Sequence, residues 1–488
     1  MVKPGIEEVR GYAGQYDMVP VREEIFADVV TPILLLRKIA KSKKNYFLLE
    51  SVEGEEKWGR YSFLGYDPVM RVTCRECEVV IDKRGAKETV KTDNPLQVLR
   101  DILSEYRAPK IEGMPPFAGG FVGYFAYAML AHAERKLTIK RGEFADYDVM
   151  LFDRVIAYDH LKQKIVLVAN VSTRGKIEED YALAEADIRG IISMIRDNSP
   201  LPEEPAYDKV HFTCNVTEEE YSDIVEKTKE YIYQGDIFQA VLSRRFVSDY
   251  EGSLIHPYRV LRTTNPSPYM VYMNMGDLEI MSTSPETLVR LSEGRLVTFP
   301  VAGSRPRGKK EAEDEALVKD LLADEKELAE HNMLVDLGRN DLGRISRYGS
   351  VEVTKYKMIH KYSKIMHICS QVEGDISEDK DALDAIQSVL PAGTLSGAPK
   401  IRACEIIDEL ESEPRGIYGG ALGYIDFSGN MDTCIAIRMA VKKDNKVYVQ
   451  AGGGIVADSR PEMEYQESGN KAKAVMFALE HAKEAIEP

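Results

Sequence analysis

Between Gly452 and Lys471 the chain reads GGGIVADSRPEMEYQESGNK, a stretch whose residue types suit the joint handling of an anion and a cation. Glu464 and Glu467 stand three apart and Lys471 follows four later. On a helix opening after Pro461 all three share one face. Two carboxylates one turn apart offer hard oxygen ligands to a divalent cation such as Mg2+. The triplet Gly452, Gly453 and Gly454 ends an apolar, strand-like run from Val447 to Ala451. Main-chain amides without side chains let an anionic ligand approach closely. Taken alone, the stretch reads as a solvated helix face with an i,i+4 Glu–Lys pair. Its weight comes from matching pieces elsewhere.

Composition narrows the class. At 488 residues the chain calls for two domains or one large interleaved core. A net charge of −16 argues against bulk affinity for nucleic acid or an anionic membrane, while leaving room for a local cationic pocket. No run reaches the ~18 apolar residues of a membrane span, and Met1-Val2-Lys3-Pro4 lacks the apolar centre of a signal peptide. Six scattered cysteines imply no disulfide framework, so a reducing cytoplasm is expected. Cys74 and Cys77 form a lone C-x-x-C; without a second pair or a histidine partner they read as structural.

The elements that must carry the chemistry fall into two portions, residues 1–200 and 206–488. In the first, Thr31–Lys41 is an amphipathic helix and Tyr46–Ser51 a strand. Val72–Asp82 and Gly85–Thr92 alternate like a hairpin, Val149–Tyr158 and Lys164–Asn170 are further strands, and Glu178–Ile195 is a long helix. Arg22–Val30 shows no clear period. A linker rich in Pro and charge spans 197–205. The second portion restarts with a capping box, Thr217 with Glu220, opening a helix to about Tyr233. Ile237–Phe246 is a strand, Glu311–Leu337 a long helix bearing Glu330, and Pro391–Lys400 a turn opening the helix to Leu410. Tyr418–Asp426, Met431–Val441 and Lys446–Ala451 make a closing antiparallel set.

Together Gly235–Gln239, Ala329–His331, Gly393–Lys400, Tyr418–Tyr424, Asp432–Arg438 and Gly452–Lys471 resemble the chorismate-utilising enzymes, most closely their anthranilate-forming large subunits. The resemblance covers nearly the whole chain. It implies an α+β fold in which large antiparallel sheets pack face to face with helices outside. It implies that Glu330 and Glu467 ligate Mg2+, with Glu464 in the ligand sphere through water. Arg438 would grip a carboxylate of chorismate, and Tyr418, the Gly452, Gly453 and Gly454 amides and Lys471 would complete an anion cradle. Glu286 matches the family's general acid, His367 a histidine beside the departing groups, and Thr394 a neighbour of both. His331 and His360 read as structural. Gly453 stands where relatives usually carry alanine.

Two positions bear on the product. Relatives that add water to chorismate carry a lysine base where this chain has Gln239, and many that form 4-amino-4-deoxychorismate carry a nucleophilic lysine where it has Ala302. The resemblance therefore implies attack of ammonia at C2, loss of pyruvate and formation of anthranilate, with aminodeoxychorismate synthesis as the alternative. Ammonia would come from a separate glutamine amidotransferase subunit, component II. No cysteine here lies in an amidotransferase nucleophile turn. Leu48-Leu49-Glu50-Ser51, facing Asn265, Pro266, Pro268, Tyr269 and Met270, matches an element that holds L-tryptophan as feedback inhibitor. Glu50 would pair the ammonium and Ser51 fix the polar end. Lys57 and Arg60 are both candidates for a basic contact. A non-catalytic amino-acid sensor is the competing class.

Overall fold

The computed structural model describes residues 2–51, 59–134, 136–201, 207, 210–361 and 365–485. Two antiparallel sheets of 12 strands each dominate it. The first runs Met18–Phe26, Lys164–Ser172, Arg154–Asp159, Tyr61–Tyr66, Asn45–Glu50, Tyr269–Met275, Leu278–Ser284, Met439–Lys443, Lys446–Ile455, Gln239–Asp249 and Thr213–Cys214, with Gly397–Ala398 added on Gln239–Asp249. The second runs Val301–Pro306, Ile365–Asp375, Arg295–Thr298, Thr287–Ser292, Met431–Ile435, Ala421–Asp426, Gly120–Phe125, Tyr147–Phe152, Met70–Arg75, Glu78–Lys83 and Ala86–Lys91, with Glu352–Lys361 beside Ile365–Asp375. Residues 1–200 supply five adjacent strands to each sheet. The seams to the second portion are Asn45–Glu50 against Tyr269–Met275 and Gly120–Phe125 against Ala421–Asp426.

Side chains of alternating period bury one face of each sheet against the other. Phe47, Phe63, Val271 and Met273 from the first sheet meet Val122, Phe152, Leu422 and Tyr424 from the second. Phe117 is fully buried with its ring centroid 4.4 Å from Tyr424, and truncating it to alanine would cost about 3–5 kcal/mol. Outer faces are covered by helices. Pro32–Ala40, Ile177–Arg196, Ile255–Thr264 and Pro461–Glu480 join the core of the first sheet. Pro95–Ser104, Glu325–Gly343 and Ala382–Val389 cover the second.

Local signals account for several boundaries. The capping box forms as expected: Glu220 N donates to Thr217 Oγ1 at 3.2 Å and Thr217 N to Glu220 at 2.8 Å. Other boundaries differ, each for a physical reason. The expected strand Val149–Tyr158 is two strands in different sheets, Tyr147–Phe152 and Arg154–Asp159, with Asp153 alone between them. Both are buried on each face, so no alternation marks the break. The expected helix Glu311–Leu337 breaks at Asp324, whose carboxylate caps a new helix at the amides of Lys326 and Glu327 (3.1 and 3.2 Å). The glycine triplet lies inside strand Lys446–Ile455 instead of ending it. Arg22–Phe26, within the stretch lacking a period, belongs to the nine-residue strand Met18–Phe26, held by full-length pairing with Lys164–Ser172. The expected hairpin is a three-strand meander, Met70–Arg75, Glu78–Lys83 and Ala86–Lys91.

Candidate active site and inter-sheet pocket

Two neighbouring chain crossings between the sheets create the site. The first leaves strand Leu278–Ser284 of one sheet and enters Thr287–Ser292 of the other, with Pro285 and Glu286 in the gap. The second leaves Met431–Ile435 and enters Met439–Lys443, with Arg438 at its end. They are laced together: Ile435 N donates to Glu286 O at 3.0 Å, Thr283 N to Arg438 O at 3.1 Å, and Ser282 Oγ to Ile437 O at 2.8 Å. Arg438 is held at φ +49°, a conformation rare outside glycine and frequent where a side chain must be aimed.

A cavity of about 430 Å³ opens beside these crossings. It brings together Gln239, Glu286, Glu330, His367, Thr394, Tyr418, Arg438, Gly452, Gly453, Gly454, Glu464, Glu467 and Lys471, all thirteen residues expected to serve catalysis, substrate and metal. Glu286 is half-buried in the cavity wall, and desolvation raises its carboxyl to about 8; Thr394 Oγ1 donates to it at 3.0 Å. Burial pushes the His367 imidazole down, keeping it neutral. Its Nδ1 lies 3.2 Å from the Gly303 carbonyl, which can only accept, so the proton sits on Nδ1. Arg438 is half-buried, desolvation lowers its guanidinium, and Nη1 donates to Lys471 O at 2.5 Å. Burial raises the Tyr418 phenol to about 12.

The glycine strand is shaped by its neighbours. Pairing with Met439–Lys443 stops at Ala440 and Val449, so beyond Val449 one backbone edge faces the cavity. Gly452 is already engaged there: its amide bonds Tyr418, and its carbonyl accepts from Lys471 Nζ at 3.0 Å. By strand alternation Gly454 presents its amide to the same edge. A Cβ on Gly452 would lie 2.1 Å from the Leu242 carbonyl, so a side chain is excluded there, and one on Gly454 would lie 2.3 Å from the Gln239 side-chain amide and require it to shift.

The acidic wall fits a hard divalent cation by its chemistry. Burial raises the Glu330 carboxyl, followed by the nearby Glu327 charge, and burial likewise raises Glu464, with Glu467 adding to the effect. Glu467 pairs with Lys471 at 2.7 Å. Desolvated carboxylates that repel one another are what a dication neutralises. Their oxygens do not close to mutual ligand spacing. Among the described residues the trio that does, within 4.8 Å, is Cys74, His132 and Asp146. The fold thus gives Cys74 the histidine neighbour that the sequence did not show. Asp146, however, is occupied by His132 at 2.8 Å and by Arg141 at 3.0 and 3.2 Å, a buried polar hub. Glu327 and Lys326 line the acidic cavity and were missed in the sequence. The signal for Glu327 was its three-residue spacing from Glu330, the same as that between Glu464 and Glu467.

A second cavity, about 240 Å³, lies between the sheets. Glu50, Ser51, Pro268, Tyr269 and Met270 line it together with Leu49, Phe63, Pro116 and Tyr424; Asn265 and Pro266 do not. Asn265 instead donates to Thr283 Oγ1 at 3.0 Å. One expectation is corrected here. The Glu50 carboxylate is not presented to a ligand ammonium, because Arg262 binds it at 3.0 and 3.1 Å and Tyr258 at 2.8 Å on the helix-covered face. Strand alternation turns Glu50 and its partner Met270 outward while Leu49 and Val271 face the other sheet. Arg60 is paired with Asp159 at 2.7 Å, and Lys57 lies outside the described residues. His360, expected to be structural, lines this pocket with Arg290, Lys355 and Asp432. His331 is structural as expected, buried with Nε2 2.6 Å from Ser370 Oγ.

Residues 44–477 match the family model described as chorismate binding enzyme. The chain belongs to that family. Within it, the chain is 45% identical to anthranilate synthase component 1 of Acetivibrio thermocellus, over 99% of this chain and 100% of that one. It is also 45% identical to the protein of that name from Aquifex aeolicus, over 99% of each. The crystal structure of anthranilate synthase component I from Streptococcus pneumoniae superposes with a TM-score of 0.78 at 36% identity, covering 93% of this chain and 99% of that one. A menaquinone-specific isochorismate synthase from Escherichia coli shares the fold alone, with a TM-score of 0.69 at 18% identity over 97% of this chain and 98% of that one. The two face-to-face antiparallel sheets flanked by helices are thus the architecture of this family. Among the described residues no helix is long and apolar enough to cross a membrane.

Proposed function

We propose that the chain is the large subunit of an anthranilate synthase, converting chorismate and ammonia to anthranilate, pyruvate and water. The observation that carries this reading is Glu286: a half-buried, desolvated carboxyl raised to about 8, in one cavity with Arg438 and Lys471. A group in that state can hold a proton near neutral pH and hand it to a poor leaving group. Arg438, Tyr418, Lys471 and the open glycine edge hold the two substrate carboxylates, where charge-assisted bonds are strong. Glu286 gives its proton to the departing C4 hydroxyl as water, while ammonia bonds to C2. Loss of the C2 proton and of the enolpyruvyl group as pyruvate then restores the aromatic ring. Neutral His367 lies beside the departing groups as a proton carrier. Gln239 and Ala302, both lining the cavity, supply no amine to activate water or to trap the ring.

Glu330 and Glu467, with Glu464 in support, would hold Mg2+. That ion, when bound, would neutralise a substrate carboxylate and draw electron density from the ring. The inter-sheet pocket takes L-tryptophan as a feedback inhibitor: its Leu49, Phe63, Pro116 and Tyr424 walls suit an indole, and Ser51 meets the polar end. Relatives named component 1 imply a second component, and a glutaminase subunit supplying ammonia is the partner of this reading. Incubation of the purified chain with chorismate, Mg2+ and ammonium should yield the blue fluorescence of anthranilate, and glutamine should not replace ammonium. Accumulation of aminodeoxychorismate without anthranilate would overturn the product assignment. Hydrolysis of glutamine by the chain alone would overturn the partner.

A further inference from the structure

We infer that the buried pair Arg415–Glu411 is a positioning device that locks the acid side of the catalytic cavity to its nucleophile side; the inference rests on the functional reading above. Arg415 is 2% and Glu411 6% exposed, and their charged atoms meet at 2.7 and 2.8 Å. Burying two charges usually brings little net stability over an apolar replacement, so the pair's existence alone says nothing about its role. Its other partners do. Arg415 Nη1 donates to the Leu395 carbonyl at 2.5 Å, and Nη2 donates to the Val241 carbonyl at 2.5 Å. Leu395 follows Thr394, whose hydroxyl binds Glu286. Val241 lies two residues beyond Gln239 on the same strand and itself lines the cavity. One guanidinium therefore holds both the turn behind the acid and the strand that places Gln239.

Glu411 extends the grip. Its Oε1 accepts from Ser243 N at 2.7 Å and Ser243 Oγ at 2.9 Å, two residues further along that strand. The guanidinium carbon lies 4.7 Å from the Tyr127 ring centroid and 5.9 Å from that of Tyr418, which bonds the glycine edge. Such a task needs a planar fork with separately aimed donors. The point charge of lysine cannot reach both carbonyls while facing Glu411. Neither residue touches the cavity, so both act through the groups they place.

The test compares Arg415→Lys and Glu411→Gln with Arg71→Lys. Arg71 pairs with Asp148 at 2.6 Å and reaches the Met275 carbonyl at 2.7 Å, remote from the cavity residues. With chorismate, Mg2+ and ammonium, both clamp variants should lose about 10–100-fold in kcat while KM for chorismate stays within about threefold, because misalignment taxes the reacting geometry more than ground-state binding. Arg71→Lys should lower Tm and keep kcat within about twofold. Hydrogen exchange gives a readout independent of turnover. The Val241 amide, bonded to Ser396 O at 2.8 Å, should exchange faster in the clamp variants and not in Arg71→Lys. Unchanged kcat and Val241 exchange in a folded clamp variant of lowered Tm would overturn the inference. If Arg415→Lys fails to fold, Glu411→Gln decides, since it keeps an acceptor for Ser243. A parent protein without activity would sink the functional reading, leaving the Val241 exchange to judge the clamp.

Discussion

The two cavities differ in where their walls come from. Every residue lining the catalytic cavity lies between Gln239 and Lys471, within the second portion of the chain. The inter-sheet pocket takes Leu49, Glu50, Ser51, Tyr61, Phe63 and Pro116 from the first portion and the rest from the second. One is acidic and cationic by turns, with an open backbone edge; the other is lined largely by proline, aromatic and aliphatic side chains. They share Pro285 and Val301, and Glu286 faces one cavity while the next residue, Thr287, faces the other. The lining of the first cavity is thus drawn from one portion, whereas the second cavity can form only where both portions meet. The wall the cavities share includes the chain crossing that carries Glu286, so on the proposed reading ligands in the two cavities would affect each other's binding reciprocally.

The largest expected effect separates the cavities outright. Glu286→Gln should cut turnover by roughly 10²–10⁴-fold, the span of general acid catalysis, and leave tryptophan binding in place. In the parent, activity should fall as pH rises through about 8, because the acid must be protonated. Stability moves with it. A folded-state value raised above the ordinary carboxylate range means that the native chain holds a proton the unfolded chain has lost, so stability falls as pH rises from about 4.5 to about 8. The glutamine variant should therefore be more stable than the parent above pH 8, by an amount on the order of a few kcal/mol, and lose that advantage below pH 4.5. Melting curves across this range that coincide for the two proteins would contradict the desolvated, protonated acid.

The cavities were also unequally legible in the sequence. The residues expected to serve catalysis, substrate and metal sit in short motifs, where residue type and spacing carry the signal, and all thirteen line one cavity. The seam pocket depends on which face of a strand turns inward and which strands become neighbours. The period-two rule places Glu50 opposite Leu49, but without the neighbouring helix Ile255–Thr264 nothing reveals that Arg262 and Tyr258 take its carboxylate. Strands Tyr147–Phe152 and Arg154–Asp159 could not be divided because burial on both faces removes the alternation. The split of the long helix at Asp324 was legible in principle, since aspartate is a preferred N-cap, yet helix-favouring residues on both sides masked it.

A second, smaller effect probes the acidic wall. Glu467→Gln removes one proposed ligand and the partner of Lys471, and should raise the Mg2+ concentration needed for half-maximal turnover by at least tenfold. Near-parental Mg2+ dependence would remove Glu467 from the metal site. On the other side of the shared wall, Ser51→Ala should leave turnover within about twofold and weaken tryptophan binding by about 2–10-fold, the worth of one hydrogen bond. Tryptophan should weaken chorismate binding to the parent by the same factor as chorismate weakens tryptophan binding. Calorimetry that finds no tryptophan binding to the parent would dismiss the seam pocket as a regulatory site.

The finest distinction lies within the glycine triplet. Gly452 is fixed by backbone that cannot yield, a Cβ there sitting 2.1 Å from the Leu242 carbonyl, whereas one on Gly454 would sit 2.3 Å from the Gln239 side-chain amide and displace it. Gly453 points the opposite way, as alternation requires. A Cβ there would meet Glu464 Oε2 at 3.1 Å and Glu467 Oε1 at 3.9 Å, the ends of flexible side chains in the cavity. Its φ is not in the left-handed region, so alanine incurs no backbone strain. Gly453→Ala should therefore fold normally, keep kcat within about twofold and shift the Mg2+ requirement only slightly, as the Glu464 carboxylate moves a few tenths of an ångström. Gly452→Ala, one residue away, should instead lose the edge that holds Tyr418 and Lys471, with a large fall in chorismate affinity. Equal behaviour of the two variants would mean that the open backbone edge is not what receives the substrate.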